Sequence, residues 1–101
     1  GDMGTGSWLL EGKPGNRAFS SSCHGAGRLL SRSQAKKQID GKAIKKELES
    51  RGIRVHANTP NIMSEEAPDA YKDVDEVIKL SNSAGLTKPI ARLSPLAVIK
   101  G

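Results

Sequence analysis

Short runs of alternating or continuous apolar residues recur along the chain and predict strands. These runs occupy residues 7–10, 19–23, 53–56, 90–93 and 96–99, and turn-forming glycines or prolines lie close to most of them. Pro95 separates the last two runs, because proline has no N–H to donate to a sheet. The pattern therefore indicates several short strands distributed over the whole chain.

Apolar side chains spaced three or four residues apart predict helices between these strands. The predicted helices cover residues 31–39, 40–50 and 73–84, and a further helix begins near Pro68. Their candidate N-caps are Ser31 or Ser33 and Asp40, and their candidate stops are Gly52 and Gly85. Residues 58–64 are interpreted as a loop. Mixed short strands and three to four helices indicate the α+β class.

The composition of the chain limits its domain size, its partners and its cellular location. With 101 residues, of which 36% are hydrophobic and 3% aromatic, the chain suits one small domain with a modest core. The formal net charge of +5 fits a polyanionic partner or, equally, simple solubility. The single cysteine, Cys23, excludes an internal disulfide and favours a reduced, cytoplasmic location. No apolar run of membrane-spanning length occurs, and the opening residues resemble the interior of a longer sequence.

The densest chemical cluster is Cys-His-Gly-Ala-Gly-Arg at residues 23–28. A neutral imidazole nitrogen of His24 can attack phosphorus, flexible glycine backbone can cradle phosphate oxygens, and Arg28 can add a charged contact. The alternative is a turn with a structural histidine. A buried, inert thiol is favoured at Cys23, and Cys23, His24 and His56 do not form a recognised zinc spacing.

Four other features are weak signals when judged from spacing alone. Residues 1–7 are glycine-rich like a phosphate loop but lack the lysine of a P-loop. Tyr71 is either a core aromatic or a platform for a stacked base, and Lys100 is typical of a solvated end. The basic residues Arg28, Arg32, Lys36 and Lys37 fit either a solvated helix face or a phosphate-binding surface.

Four segments together resemble the C-terminal part of the RtcB family of RNA ligases. They are Gly-Asp-Met-Gly-Thr-Gly-Ser at 1–7, Cys-His-Gly-Ala-Gly-Arg with Ser-Arg-Ser at 23–33, Glu-Glu-Ala-Pro-Asp-Ala-Tyr-Lys-Asp-Val at 65–74, and Arg-Leu-Ser-Pro-Leu-Ala-Val-Ile-Lys-Gly at 92–101. The resemblance implies that residues 1–101 form the C-terminal, nucleotide-attachment portion of an RtcB-like α/β sandwich.

The resemblance also implies an activity. The family joins RNA 3′-phosphate or 2′,3′-cyclic phosphate ends to 5′-hydroxyl ends with GTP and manganese, in tRNA splicing and RNA repair. His24 would be the catalytic nucleophile that carries GMP. The expected partners are GTP, broken or spliced RNA such as tRNA exon halves, and an accessory activating protein, with no membrane involved.

The family's binding roles transfer to particular positions of this chain. Gly25, Ala26 and Gly27 would contact the nucleotide phosphate and ribose, and Arg28 would act near phosphate or RNA. Ser7 and Lys100 would hydrogen-bond the guanine, against which Tyr71 packs. Asp2 and Met3 complete the implied nucleotide-binding set. Many family members carry serine at the position of Asp2, and a carboxylate there repels phosphate.

One departure from the family pattern is large. The family's manganese ligands, and an Asn-His-Glu stretch that helps to hold the nucleotide, lie upstream of the matching segment and have no counterpart among these residues. The resemblance therefore implies that the 101 residues neither guanylylate nor ligate on their own. The alternative function is a stand-alone basic RNA-binding module without catalysis.

Overall fold

The computed structural model describes all 101 residues and contains four α-helices, one 3-10 turn and four strands. Their bounds are β1 Ser7–Gly12, α1 Arg32–Gln38, α2 Gly41–Ser50, β2 Arg54–Ala57, α3 Pro60–Glu65, the 3-10 turn Pro68–Ala70, α4 Val74–Ser83, β3 Thr87–Leu93 and β4 Ala97–Lys100. The α+β class is confirmed, with the helices and strands interspersed along the chain.

Side-chain caps define where the predicted helices begin. Ser31 forms a capping box with Gln34 at the start of α1, and Asp40 accepts hydrogen bonds from two backbone amides at the start of α2. Asp73 caps α4 by accepting a hydrogen bond from the Asp75 amide. Gly85 follows α4 with a φ of +75°, a left-handed conformation in which an L side chain is unfavourable.

The strands form two separate two-stranded sheets. Strand β1 pairs with β3 in antiparallel fashion, with a register shift between Leu9 and Leu10, whereas β2 pairs with β4 in parallel fashion. Both pairs join segments that are far apart in sequence. As a result, residues near the first and last positions of the chain are brought close to each other.

Two small cores support this arrangement. The larger contains Met3, Leu48, Ile53, Val55 and Met63, and the smaller contains Ala26, Val74 and Ile78 with Trp8 and Leu10 packed against it. Only 17 of the 101 residues are buried, so large apolar side chains such as Leu96 and Ile99 remain exposed. The first core anchors the loop before β1, and the second anchors the segment that follows His24.

Two sequence-based expectations about the fold are wrong. Residues 19–23 form turns and irregular backbone instead of a strand, because Phe19 and Ser20 adopt positive φ values of 53° and 58° and Phe19 has no packing partner. Residues 58–64, expected to be a loop, contain most of α3. Thr59 caps this helix, Pro60 starts it, and Met63 is buried in the larger core.

The helices are all short. None of them has the length and apolar character needed to cross a membrane.

Candidate functional site

The loop at residues 1–6 is folded around one carboxylate. Asp2 accepts hydrogen bonds from the amides of Gly4 and Thr5 at 2.8 and 2.9 Å and from the Thr5 hydroxyl at 2.6 Å. Arg51 and Arg92 donate to the carbonyls of Gly4 and Thr5 from two different parts of the chain. The acidic side chain therefore orders the loop from within, which gives Asp2 a structural task that serine could share only in part.

This loop borders a cavity of about 420 Å³ that extends to β4, large enough for a small molecule. Strand β1 contributes its first residue, Ser7, and β4 contributes its last, Lys100. The cavity is lined by Gly1, Asp2, Met3, Ser7, Glu66, Tyr71, Pro95, Ala97, Val98, Ile99 and Lys100. Five of the residues expected to bind nucleotide, Asp2, Met3, Ser7, Tyr71 and Lys100, thus come together from three distant segments. Met3 is also a core residue with an exposed fraction of 3%.

Glu66 organises the polar side of the cavity. Its Oε2 accepts a hydrogen bond from the Tyr71 hydroxyl at 2.8 Å and lies 3.4 Å from Lys100 Nζ. Its Oε1 lies 3.6 Å from Arg28 Nη1. The Glu66 side chain is only 20% exposed, so these interactions are partly shielded from water. They orient the tyrosine ring and the lysine ammonium toward a common space.

The surroundings of Glu66 and Tyr71 shift their pKa values in opposite directions. Burial raises the pKa of Glu66, but the Tyr71 hydrogen bond and the positive charges of Lys100 and Arg28 together outweigh it, and the net effect is a lowered pKa. Burial also raises the pKa of Tyr71, and the hydrogen bond to Glu66 and its negative charge raise it further. At neutral pH the cavity therefore holds an ionised carboxylate and a protonated phenol.

Arg28 is held against Tyr71. Its guanidinium carbon lies 4.7 Å from the centre of the tyrosine ring, and Nη1 donates to the tyrosine hydroxyl at 2.9 Å. Nε donates to the carbonyl of Leu30 at 2.9 Å, and Nη2 donates to the carbonyl of Glu65. The backbones of Arg28 and Tyr71 also form an antiparallel bridge. This arginine therefore joins the segment after His24 to the polar side of the cavity.

His24 lies next to the cavity and does not line it. The imidazole is exposed and borders a smaller space of about 60 Å³ with Cys23, Gly25, Trp8 and Leu10 among its other neighbours. Gly1 lines both this space and the larger cavity, which makes the two spaces adjacent. The ring is not embedded in the core, so a substrate can reach its nitrogen atoms from solvent.

The residues after His24 border a third, largely apolar groove. Gly25, Ala26 and Gly27 line it together with α4 side chains, and Gly27 adopts a φ of +80° that favours glycine. The Ala26 side chain is buried in the smaller core. His24 and Gly25 therefore lie outside the cavity that contains Tyr71 and Lys100. Arg28 joins the two groups through Tyr71, and the Lys72 amide donates to the Gly27 carbonyl at 3.0 Å.

Cys23 differs from the sequence-based expectation. Its thiol is exposed instead of buried, because the segment before His24 is irregular and does not pack as a strand. No three His, Cys, Asp or Glu side chains of the 101 residues lie together in a way that can hold a metal ion. The carboxylates, the thiol and the imidazoles present here do not fit a metal centre.

Glu66 is the cavity residue that sequence reasoning missed. It was visible only as the second member of the Glu-Glu pair at 65–66, a pattern common on solvated surfaces. The structure distinguishes the two members: Glu65 faces Arg32 and Lys36, at 3.7 and 3.1 Å, whereas Glu66 faces the cavity. Only contacts with residues distant in sequence reveal this difference.

The whole chain matches known proteins. The family described as tRNA-splicing ligase RtcB matches residues 1–101. The RNA-splicing ligase RtcB of Mycobacterium tuberculosis is 52% identical over the whole chain, which covers 23% of that protein. The tRNA-splicing ligases RtcB of Methanopyrus kandleri and Pyrococcus horikoshii are each 48% identical over 103 aligned positions, and the chain covers 10% and 12% of their lengths. The chain thus spans less than a quarter of these relatives, and over that span it belongs to the tRNA-splicing ligase RtcB family.

Proposed function

We propose that these residues form the nucleotide-attachment part of a GTP-dependent RNA ligase that joins 3′-phosphate or 2′,3′-cyclic phosphate ends to 5′-hydroxyl ends. The observation that carries this proposal is the cavity of about 420 Å³ that gathers Ser7, Tyr71 and Lys100 beside an accessible His24. A base-sized pocket next to a nucleophilic imidazole is the arrangement that covalent nucleotide transfer requires. Family membership supports the same assignment.

In the first step an imidazole nitrogen of His24 forms a bond to the α-phosphorus of GTP, and the bond from that phosphorus to pyrophosphate breaks. The nitrogen attacks as the neutral base, so the ring must be unprotonated before the step. Because His24 is exposed, the incoming phosphate can approach a ring nitrogen. The flexible backbone at Gly25 and Gly27 allows the neighbouring amides to approach its oxygens.

Transfer to RNA follows. An oxygen of the RNA 3′-phosphate attacks the GMP phosphorus, the bond to His24 breaks, and the imidazole is regenerated. The 5′-hydroxyl of the second RNA end then attacks the activated 3′-phosphate, a phosphodiester forms, and GMP leaves. A cyclic phosphate end must first be opened by water to the 3′-phosphate. The phosphoramidate and then the RNA–GMP anhydride conserve the energy of the GTP anhydride, so that the imidazole and finally GMP can depart as leaving groups.

The cavity supplies base recognition. The Lys100 ammonium donates hydrogen bonds and suits the O6 and N7 acceptors of guanine, Ser7 offers a hydroxyl, and the Tyr71 ring provides an apolar face for packing. Glu66 orients both Tyr71 and Lys100 through the contacts at 2.8 and 3.4 Å. Ordering these side chains before the nucleotide arrives lowers the entropy cost of binding.

Manganese, which the family resemblance implies, does not fit any cluster of residues in this chain. The steps above therefore run only through the chain's own side chains. The resemblance assigns the metal ligands to sequence upstream of the matching segment, and we propose that residues 1–101 in isolation neither guanylylate nor ligate.

The experiment uses the longest natural form of the protein, incubated with GTP labelled at the α-phosphate and with manganese. We expect covalent, acid-labile label in the parent protein and none in His24→Ala. His56→Ala is a matched control, because His56 is also exposed but is not among the residues that line the cavity. Label that persists in His24→Ala would overturn the nucleophile assignment.

A further inference from the structure

Positive charge is concentrated in one segment of the chain. Residues 31–54 contain eight of the 16 basic residues and only three of the 11 acidic residues, and the rest of the chain carries eight of each sign. The segment therefore accounts for the entire formal net charge of +5. A uniformly solvated surface distributes its charges, whereas a surface that meets a polyanion concentrates them.

The basic side chains of this segment are exposed on the surface of the fold. The segment forms α1 and α2, and both helices pack against α3. In α2, Leu48 is fully buried and Ile44 packs on the larger core. Lys42, Lys45 and Lys46 lie three and four positions apart and are exposed together on the remaining surface of the helix. We refer to residues 31–54 as the basic hairpin.

Several of these cations have no acidic partner. Lys37, Lys42 and Lys46 form no ion pair within the chain, whereas Lys45 is paired only with Glu49, at 3.8 Å and with both side chains nearly half exposed. Unpaired lysines on adjacent helices repel each other, and their repulsion is relieved when an external anion binds.

The hairpin also adjoins the candidate site. Arg32 and Lys36 of α1 both contact Glu65, and the next residue, Glu66, lines the nucleotide cavity. Helix α1 begins four residues after Arg28, which itself contacts Tyr71. A strand of phosphates that crosses the basic hairpin therefore has a short path to the residues that handle nucleotide.

We infer that the basic hairpin binds the phosphate backbone of the RNA substrate, without regard to base sequence. This inference rests on the proposed ligase function. The chain's three aromatic residues, Trp8, Phe19 and Tyr71, all lie outside the hairpin, so no ring is available there to stack on bases. Flexible lysines act as point charges that follow phosphates and do not read base edges. An acidic protein partner would instead require apolar anchors, which the exposed face of α2 lacks.

The test measures binding of a single-stranded RNA with a 3′-phosphate to the longest natural form of the protein over a series of salt concentrations. The variant Lys37→Gln/Lys42→Gln/Lys46→Gln removes three unpaired charges. The matched control Arg17→Gln/Lys79→Gln/Lys88→Gln removes three exposed charges outside the hairpin. If each of the three lysines contacts one phosphate, the slope of log K against log salt becomes shallower by about 2 in the hairpin variant, and the control stays at the parent slope.

Three outcomes would overturn the inference. The first is a hairpin variant that retains the parent slope, and the second is a control that loses as much as the hairpin variant. The third is competition by polyglutamate for the hairpin as effective as that of RNA, which would assign the surface to an acidic protein. Circular dichroism melting of both variants confirms that they remain folded. Labelling of His24 by GTP without RNA is measured in parallel. Normal labelling with an unchanged slope rejects the hairpin alone, whereas absent labelling in the parent rejects the ligase function.

Discussion

The polar cluster around Glu66 makes a quantitative prediction about nucleotide binding. In Glu66→Gln, the amide oxygen can still accept the hydrogen bond from Tyr71 at 2.8 Å, but the negative charge 3.4 Å from Lys100 is lost. Lys100 then samples other rotamers before GTP arrives. The change removes one charge and leaves the shape of the side chain almost unaltered, so it isolates the orienting role of the carboxylate.

The expected magnitude follows from the geometry. Lys100 is 37% exposed and Glu66 is 20% exposed, so solvent screens their direct attraction, and such pairs contribute at most about 1 kcal/mol. Immobilising a long side chain on binding costs about 1 kcal/mol. If Glu66 supplies that ordering in advance, its loss raises the KM for GTP roughly fivefold. The maximal rate of guanylylation should remain unchanged, because His24 makes no contact with Glu66.

The assay is the initial rate of guanylylation at varied GTP concentration, measured in the longest natural form of the protein. Glu65→Gln is the matched control, since Glu65 is equally exposed at 21% but pairs with Arg32 and Lys36 away from the cavity. We expect a higher KM in Glu66→Gln and a normal KM in the control. Equal effects of the two substitutions, or a fall in maximal rate at constant KM, would refute the orienting role.

Three further predictions concern stability and binding. In Tyr71→Phe the hydrogen bonds to Glu66 and from Arg28 are lost while the ring remains, so chemical denaturation should show a free energy of unfolding lower by about 1–2 kcal/mol. Because the ring can still pack against the base, the affinity for GTP should change much less than in Tyr71→Ala. Leu48→Ala should destabilise the fold by about 2–5 kcal/mol, because Leu48 is 1% exposed at the centre of the larger core; a loss below about 1 kcal/mol in the same assay would show that this core is loosely packed. Burial favours a higher pKa for Glu66, but the Tyr71 hydrogen bond and the Lys100 charge outweigh it and lower the pKa below 4.5. The carboxylate therefore stabilises the fold above about pH 4.5, and this contribution is lost as the pH falls through the lowered pKa. The melting temperature of Glu66→Gln should therefore fall less than that of the parent on acidification, and parallel curves would contradict the assignment.

Local signals explain which parts of the fold the sequence predicts well. The helices expected at residues 31–39, 40–50 and 73–84 appear within one or two residues of those bounds, because Ser31, Asp40 and Asp73 accept hydrogen bonds from amides only two or three positions away. Helix α3 was not predicted, since Pro60 and Asn61 are typical of turns. Its stability comes from Met63, which packs into a core formed by residues distant in sequence.

Long-range pairing explains what the sequence does not predict. The partner of β1 lies more than 70 positions later in the chain, and the pairing of β2 with β4 is parallel, so neither arrangement follows from local pattern. Residues 19–23 have an apolar start but no strand to pair with, and they form turns. Likewise, the resemblance implied nucleotide-binding roles for Ser7, Tyr71 and Lys100, but only the three-dimensional contacts reveal that Glu66 joins two of these residues.

The location of the nucleotide after reaction with GTP tests the central claim most directly. After incubation with GTP and manganese, digestion at neutral pH with trypsin should release residues 18–28 as one peptide, because trypsin cleaves after Arg17 and after Arg28. His24 is the only histidine of this peptide. Tandem mass spectrometry should find one guanylyl group on the imidazole of His24, removable by mild acid. A guanylyl group on a lysine elsewhere in the protein, with residues 18–28 unmodified, would contradict the account.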